Sequence, residues 1–406
     1  MTEKGKIQPG GFYSEPALDF GARIALGLTT GGVSDVGIVY ATLDKIAEGD
    51  LQGWFDAWSA TANRLSSKAE AAKAVGHHRS AQWYFLAASE SFHQALNVVD
   101  GLPDQTLLLP TYRSHRRCWD AMIAESEGRF VPIAVPYEGT TLPGFMLRPD
   151  ATGKRRPTLI VTNGSDDSLS GMYGWTVQET LARGWNVFVY DGPGQQSMLR
   201  ERGVPFRHDW EAVLTPVVDA LVTRSDVDPA KLTGYGASQA GYWLPQALAF
   251  EHRLVAAVID PGVVDVSTHW TSHLPPELMK LLEAGKRDAF NQIMAQVTAD
   301  PVMARTLAFR ARPYGISDLY DLFTAVRKYN LRDVASRIRT PLLITNPEDE
   351  QFWPGQSREL FDLLTGPKEM IDFGRTDGAN VHCEPMARRL VEMAMLDWLQ
   401  ARLDAR

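Results

Sequence analysis

Cysteine is nearly absent from this chain. Two occur in 406 residues, Cys118 and Cys383. That is too few for a disulfide framework, and their spacing is not that of a zinc site, so a reducing cytoplasm is the expected compartment. Long apolar runs are missing as well. No window of about 18 apolar residues is available to span a bilayer, and the N-terminus MTEKGKIQPGGFYSEP lacks the basic start and apolar stretch of a secretory signal. The expectation is a soluble, intracellular protein with no membrane partner. Dense basic runs are also lacking. The net charge of -8 comes from 41 basic and 49 acidic residues spread along the chain, which argues against a phosphate-tracking surface and a nucleic-acid partner. Nothing in the pattern asks for a metal or an organic cofactor.

What is present is an ordinary globular composition, 44% hydrophobic and 22% charged. Single cores stop growing near roughly 250 to 300 residues, so the length suits one large α/β core with a helical addition. The first hundred residues read as helical. Leu51, Trp54, Phe55, Trp58, Ala62 and Leu65 share one helix face, and Trp83, Tyr84, Ala87, Ala88 and Phe92 share another after Gly76. No second copy follows at a period of about 34 residues, which argues against a repeat array. From Arg129 the pattern turns to β, with a hairpin of Arg129 to Pro136 and Leu142 to Arg148 around Glu138-Gly139. Strands are then expected at Thr158 to Thr162, Trp185 to Tyr190, Lys231 to Tyr235 and Val255 to Ile259, alternating with helices that include Val177 to Gly184 and Gln239 to Phe250. This predicts a mostly parallel central sheet with helices on both faces. Residues 262–330 break the rhythm with a helical, proline-punctuated stretch, read as a lid insertion. The sheet resumes at Pro341 to Thr345 and near Glu369 to Phe373, before a closing helix from Pro385 to Arg402. The expected organisation is a helical N-terminal domain or cap over 1–125, the α/β core over 126–261 and 331–406, and the lid over 262–330.

The strongest chemical signal is Gly234-Tyr235-Gly236-Ala237-Ser238-Gln239-Ala240-Gly241, at the junction of a strand and a helix. A sharp turn there lifts a serine clear of the backbone and demands small neighbours. The usual pattern has glycine two residues after the serine; here Ala240 takes that place and Gly241 follows. A serine that merely caps a helix would leave a similar trace. So would a dinucleotide site, with Asp260 ending the next strand as its ribose-binding acid. The rest of the constellation favours a nucleophile. Of nine histidines only His382 lies beyond the late strand, in the small-residue loop Asp377-Gly378-Ala379-Asn380-Val381-His382-Cys383, where a general base is wanted. The acid that orients it should follow that late strand, and Glu348, Asp349 and Glu350 compete. Asp349 is preferred, because a three-residue loop sets it at the usual distance from a strand ending at Thr345; its neighbours are expected to be solvated. For the oxyanion, Gln239 supplies one backbone donor, and Ser165 or else Asp166, in the Asn163-Gly164-Ser165-Asp166 loop, supplies the other. Tyr242, Trp243, Trp270 and Phe352, from an aromatic supply that includes 11 tryptophans, are expected near the elbow, lid and acid loop as substrate-binding residues, although aromatic residues at helical spacing usually belong to a core.

Taken in order, Asn163-Gly164-Ser165-Asp166, Tyr190-Asp191-Gly192-Pro193-Gly194-Gln195, Phe206-Arg207-His208-Asp209-Trp210-Glu211, the serine elbow and Gly378-Ala379-Asn380-Val381-His382-Cys383 resemble the FrsA-like α/β-hydrolases. That group includes the 2,6-dihydroxypseudooxynicotine hydrolase and fungal pigment enzymes that shorten a heptaketide chain. The resemblance implies the α/β-hydrolase fold and a triad of Ser238, Asp349 and His382. It implies a site roofed by the N-terminal helices together with the insertion, and a homodimer. It further implies hydrolysis of a carbon–carbon bond beside a ketone, or of an ester, in a bulky aromatic or polyketide-like small molecule. An eliminase or cyclase on the same fold, and a ligand-binding receptor with little turnover, stay open as alternatives. Gln196, where a small residue often follows the Pro-Gly-Gln turn, marks a pocket that departs from the group.

Overall fold

The computed structural model describes residues 11–405. Eight strands form one sheet: β1 (Phe130–Tyr137), β2 (Thr140–Leu147), β3 (Arg156–Thr162), β4 (Asn186–Tyr190), β5 (Val227–Ala237), β6 (Ala256–Asp260), β7 (Leu342–Pro347) and β8 (Lys368–Phe373). Their spatial order is β1-β2-β4-β3-β5-β6-β7-β8. The β1–β2 and β2–β4 pairs are antiparallel and every later pair is parallel. The mostly parallel α/β sheet expected from the strand and helix rhythm is therefore present. Strands such as β3, β4 and β6 read as unbroken apolar runs because helices cover both faces. The hairpin loop is tighter than its sequence suggested. Tyr137 pairs with Thr140, leaving only Glu138 and Gly139 in the turn, both at positive φ (41° and 78°), as a two-residue turn matched to strand twist requires.

Among the described residues five α-helices precede the sheet, at Pro16–Gly27, Val36–Leu43, Leu51–Ala74, His78–Leu96 and Leu108–Ala124. The third and fourth pack against each other; the third buries Trp54, Phe55, Trp58, Ala62 and Leu65 of its predicted stripe, while the fourth buries Ala87, Ala88 and Phe92 of its own together with Ala81 and Phe85 and leaves Trp83 and Tyr84 half-buried. Leu65, Phe85 and Trp119 from these helices join Leu159, Val187 and Val258 of the sheet and Leu396 of the closing helix Arg388–Asp404 in one apolar cluster. The N-terminal helices thus share a core with one face of the sheet. The opposite face carries a second large cluster around Trp210, Trp243 and Ile259. Between β6 and β7 run the helices Ser267–Thr271, Pro276–Glu283, Arg287–Val297, Pro301–Ala311 and Leu319–Val326. Three of them build a small core of their own from Leu278, Leu282, Phe290, Met294 and Phe323.

Two segments differ from expectation. The helix placed at Val177 to Gly184 begins earlier, at Leu169, and reaches Ala182 through a π-turn at Tyr173–Val177. The other is β7, which continues two residues past Thr345 to pair Pro347 with Phe373; this moves the loop that was read for the acid. The helix expected at Gln239 to Phe250 is present as Ala240–Leu248 with Pro245 inside it. Pro245 cannot donate to the Gly241 carbonyl, which instead accepts from the Val263 amide at 3.3 Å. Among the described residues no helix is long and apolar enough to cross a membrane. The reading of the N-terminal leader rests on residues 1–10, which lie outside those described.

Candidate active site

The parallel strands β5, β6 and β7 all end at the same edge of the sheet, and the site is assembled there. Ser238 follows the last residue of β5 and has φ of 56°, a left-handed conformation that a serine adopts only when its surroundings impose it. Two hydrogen bonds do so: the Ser238 amide donates to Asp260 O at 2.7 Å, and its carbonyl accepts from the Gly241 amide at 2.7 Å. Small neighbours are needed as predicted. A Cβ on Gly236 would lie 2.7 Å from Ala240 O, and one on Gly241 only 2.0 Å from Pro261 O. The glycine that the helix start cannot do without is therefore Gly241, while Ala240 fits fully buried.

His382 is buried with its Nε2 2.9 Å from Ser238 Oγ. On its other side the structure departs from the expected acid. Asp349 does not reach the imidazole. Its carboxylate accepts from Arg375 Nε at 2.7 Å and from Asn380 Nδ2 at 2.7 Å, and those two partners hold it below the usual carboxylate range. Glu350 takes the position instead: its two oxygens lie 2.8 and 3.0 Å from His382 Nδ1. The reason is register. Because β7 runs on to Pro347, the chain turns at Glu348 and Asp349 and enters the site one residue later than a strand ending at Thr345 would allow. Glu350 Oε1 also accepts the Phe352 and Trp353 amides at 2.9 and 3.1 Å. Burial works against its charge, but His382 and those amides outweigh it and hold the carboxyl below its ordinary pKa. The expectation that Glu350 is solvated is thus overturned.

The loop after β3 runs beside the nucleophile. A Cβ on Gly164 would lie 2.8 Å from Ser238 Cβ, so only glycine lets the backbone come so close. Gln195 anchors the loop through Nε2 to Asn163 O (2.7 Å) and Gly164 O (3.0 Å). Ser165 follows at the edge of a cavity. Asp166 turns its side chain away, to Arg310 at 2.9 Å on the helix Pro301–Ala311. Gln239 caps the helix after the serine, and its side chain reaches Tyr314 Oη at 3.4 Å.

Of the four aromatic residues read as substrate contacts, the structure brings one to the triad. Phe352 packs edge-on to His382 with ring centroids 4.7 Å apart. Tyr242 and Trp243 are fully buried in the core beneath the elbow. Trp243 stacks on Trp210 and donates to Arg207 O at 3.0 Å, while Tyr242 donates to His208 O at 3.0 Å. Their helix turns them away from Ser238, so they are core residues and not substrate contacts. Trp270 packs against Tyr314 and Phe323, bridging the insertion to the core. A contact missed from sequence is Phe20, on the first helix, 5.8 Å from Phe352 and 6.3 Å from His382 between centroids. Its segment carries no motif, and only the long-range packing reveals it. Arg310 lies over Phe352 at 5.4 Å, and His269, 5.2 Å from Phe352, is drawn down to about 4 by burial, with help from Arg310. Asp260, considered as a ribose-binding acid, is unsuited to that role. It is wholly buried and engaged by Tyr235 Oη (2.6 Å), Thr345 Oγ1 (2.8 Å) and Arg388 Nη1 (2.9 Å).

No family model matches the sequence. It is 28% identical over 385 residues to the hydrolase LUC6 of a Fusarium species, covering 90% of this chain and 91% of that one. It is 25% identical over 386 residues to the 20-hydroxy-prefusarin hydrolase FUS2 of Gibberella moniliformis, covering 91% and 92%. Among solved structures, the 2,6-dihydroxy-pseudo-oxynicotine hydrolase superposes with a TM-score of 0.72 at 19% identity, covering 93% of this chain and 96% of that one. These two curated relatives are hydrolases matched over nearly their whole length, and the solved structure shares the fold. In agreement with the resemblance carried by its motifs, the chain is an enzyme of the α/β-hydrolase type.

Proposed function

We propose that the chain is a serine hydrolase that cleaves a carbon–carbon bond beside a ketone, or an ester, in a bulky aromatic or polyketide-like molecule. The observation that carries this reading is the continuous hydrogen-bonded line from Ser238 Oγ through His382 to Glu350 at the end of the parallel strands. Ser238 attacks the substrate carbonyl as His382 Nε2 takes its proton; Glu350 holds the Nδ1–H tautomer and stabilises the imidazolium. The oxyanion is received by the amides of Gln239 and Ser165. His382 then protonates the leaving group, an alcohol for an ester and an enol or carbanion for a carbon–carbon bond, and water releases the acyl group. Phe20 and Phe352 furnish an apolar wall beside the base. The substrate class is supported by two relatives whose names state hydrolysis of 20-hydroxy-prefusarin and of 2,6-dihydroxy-pseudo-oxynicotine.

Intact-protein mass after treatment with a fluorophosphonate tests the proposal. A single adduct is expected on the wild-type chain and none on Ser238→Ala, with labelling of His382→Ala at least about a hundredfold slower. Wild-type labelling that persists undiminished in Ser238→Ala, or a folded wild-type protein that takes no adduct, overturns it.

A further inference from the structure

Beside the oxyanion loop lies a narrow cavity of about 20 Å³ bordered by Ser165, Gln196, Arg200 and Arg312, with Asp100 and Asp166 at its margin. It has room for the polar end of a molecule and not for the body of one. Its charges are not balanced. Arg312 is taken by Asp100, and Asp166 by Arg310. Among the described residues no carboxylate pairs with Arg200: its Nε and Nη1 are buried without a hydrogen-bond partner, and its guanidinium lies over the face of Tyr112 at 5.7 Å. Burial draws its pKa below the ordinary value, an effect that Tyr112 and nearby Asp100 only partly offset. A guanidinium remains charged even so, and an unpaired buried cation is an expensive feature for a fold to keep. Gln196 Oε1 is likewise buried and unpartnered, while its Nε2 donates to Asp167 O at 2.6 Å.

We infer that Arg200 is a recognition residue for a carboxylate carried by the substrate. The fork of a guanidinium matches a carboxylate through two parallel hydrogen bonds. Ser165 ties the cavity to the nucleophile, since it directly follows Gly164, whose backbone abuts Ser238. A substrate thus places its carbonyl at Ser238, its apolar body toward Phe352 and its carboxylate at Arg200. Gln196 is free to accept from a neighbouring hydroxyl. The inference rests on the proposed reading of Ser238 for the location of the site, but recognition of the anion does not depend on turnover.

The test uses binding to the full-length Ser238→Ala protein, measured by calorimetry with 4-phenylbutyrate and its neutral isostere 4-phenylbutyramide. The carboxylate is expected to bind at least about tenfold more tightly than the amide, and Arg200→Met in the same background is expected to abolish that preference. Equal affinities, no measurable binding of either compound, or a preference that survives Arg200→Met overturns the inference. If Arg200→Met does not fold, the Arg200-containing protein decides by its own preference, and Arg200→Lys, which keeps the charge but not the fork, is expected to lose most of it. Because both ligands are tested on a protein without the serine, failure here is distinct from failure of the fluorophosphonate experiment.

Discussion

Replacing Glu350 by Gln is the perturbation that most directly questions the triad. Glu350 Oε1 accepts from the Phe352 and Trp353 amides and also faces His382 Nδ1, while Oε2 lies 2.8 Å from the same nitrogen. A glutamine must keep its oxygen on the two amides, so its NH2 takes the Oε2 position and points at Nδ1. His382 Nδ1 then becomes an acceptor, and the ring proton moves to Nε2, 2.9 Å from Ser238 Oγ. A histidine in that tautomer cannot take the serine proton. The equivalent change in a well-characterised triad lowers kcat by about four decades; here roughly two to four decades are expected, or about 3 to 5 kcal/mol of transition-state stabilisation. The carboxamide is nearly isosteric, so the thermal midpoint should stay within a few degrees. Asp349→Asn, one residue away, disturbs only the contact with Arg375 and Asn380 and is expected to keep activity within about threefold. The assay is hydrolysis of 4-nitrophenyl butyrate together with the rate of fluorophosphonate labelling. An Asp349→Asn protein that collapses while Glu350→Gln keeps wild-type rates would refute the assignment of the acid.

Three further outcomes are expected from the packing. Gly241→Ala puts a methyl group into Pro261 O and should cost about 1 to 3 kcal/mol along with most activity, whereas Ala240→Gly should fold and turn over; a Gly241→Ala protein with an unchanged melting temperature contradicts this. Arg388→Met leaves Asp260 buried without its cation, for which a loss of about 3 to 5 kcal/mol is expected in urea unfolding, and a loss under 1 kcal/mol argues against it. Glu90 is pushed up to about 7, chiefly by burial and against hydrogen bonds from Ser170, Gln94 and Ser168. Between about pH 4.5 and 7 its carboxyl keeps a proton in the folded chain that the unfolded chain has released, so its contribution to stability falls as pH rises through that window. Glu90→Gln can still accept from Gln94 and donate to the serine hydroxyls. It should therefore melt higher than the wild type at pH 8, by up to about 3 kcal/mol, and nearly equal to it at pH 4.5; a difference larger at pH 4.5 than at pH 8 contradicts the reasoning.

Local chemistry along the chain determined much of this molecule. Apolar runs flanked by turn residues dictate the parallel strands, because strands covered on both faces can carry almost nothing else. The tight geometry of a strand-to-helix turn confines the residues around Ser238 to small ones, and the single late histidine leaves His382 without a competitor. The tertiary structure decided what depends on distance across the fold. The choice between Asp349 and Glu350 turned on how far β7 stays paired with β8, a matter of two residues at Asn346 and Pro347 that local propensity does not resolve. Tyr242 and Trp243 lie on the helix that starts at the elbow, yet its rotation turns them into the core. Phe20 reaches His382 from more than three hundred residues away in sequence, and the imbalance at Arg200 emerges only once Asp166 and Asp100 are seen to be matched to Arg310 and Arg312. Sequence pattern reports which residues must be buried or bent, since those demands are local; which buried groups meet is set by the packing of segments that do not know of one another until the chain has folded.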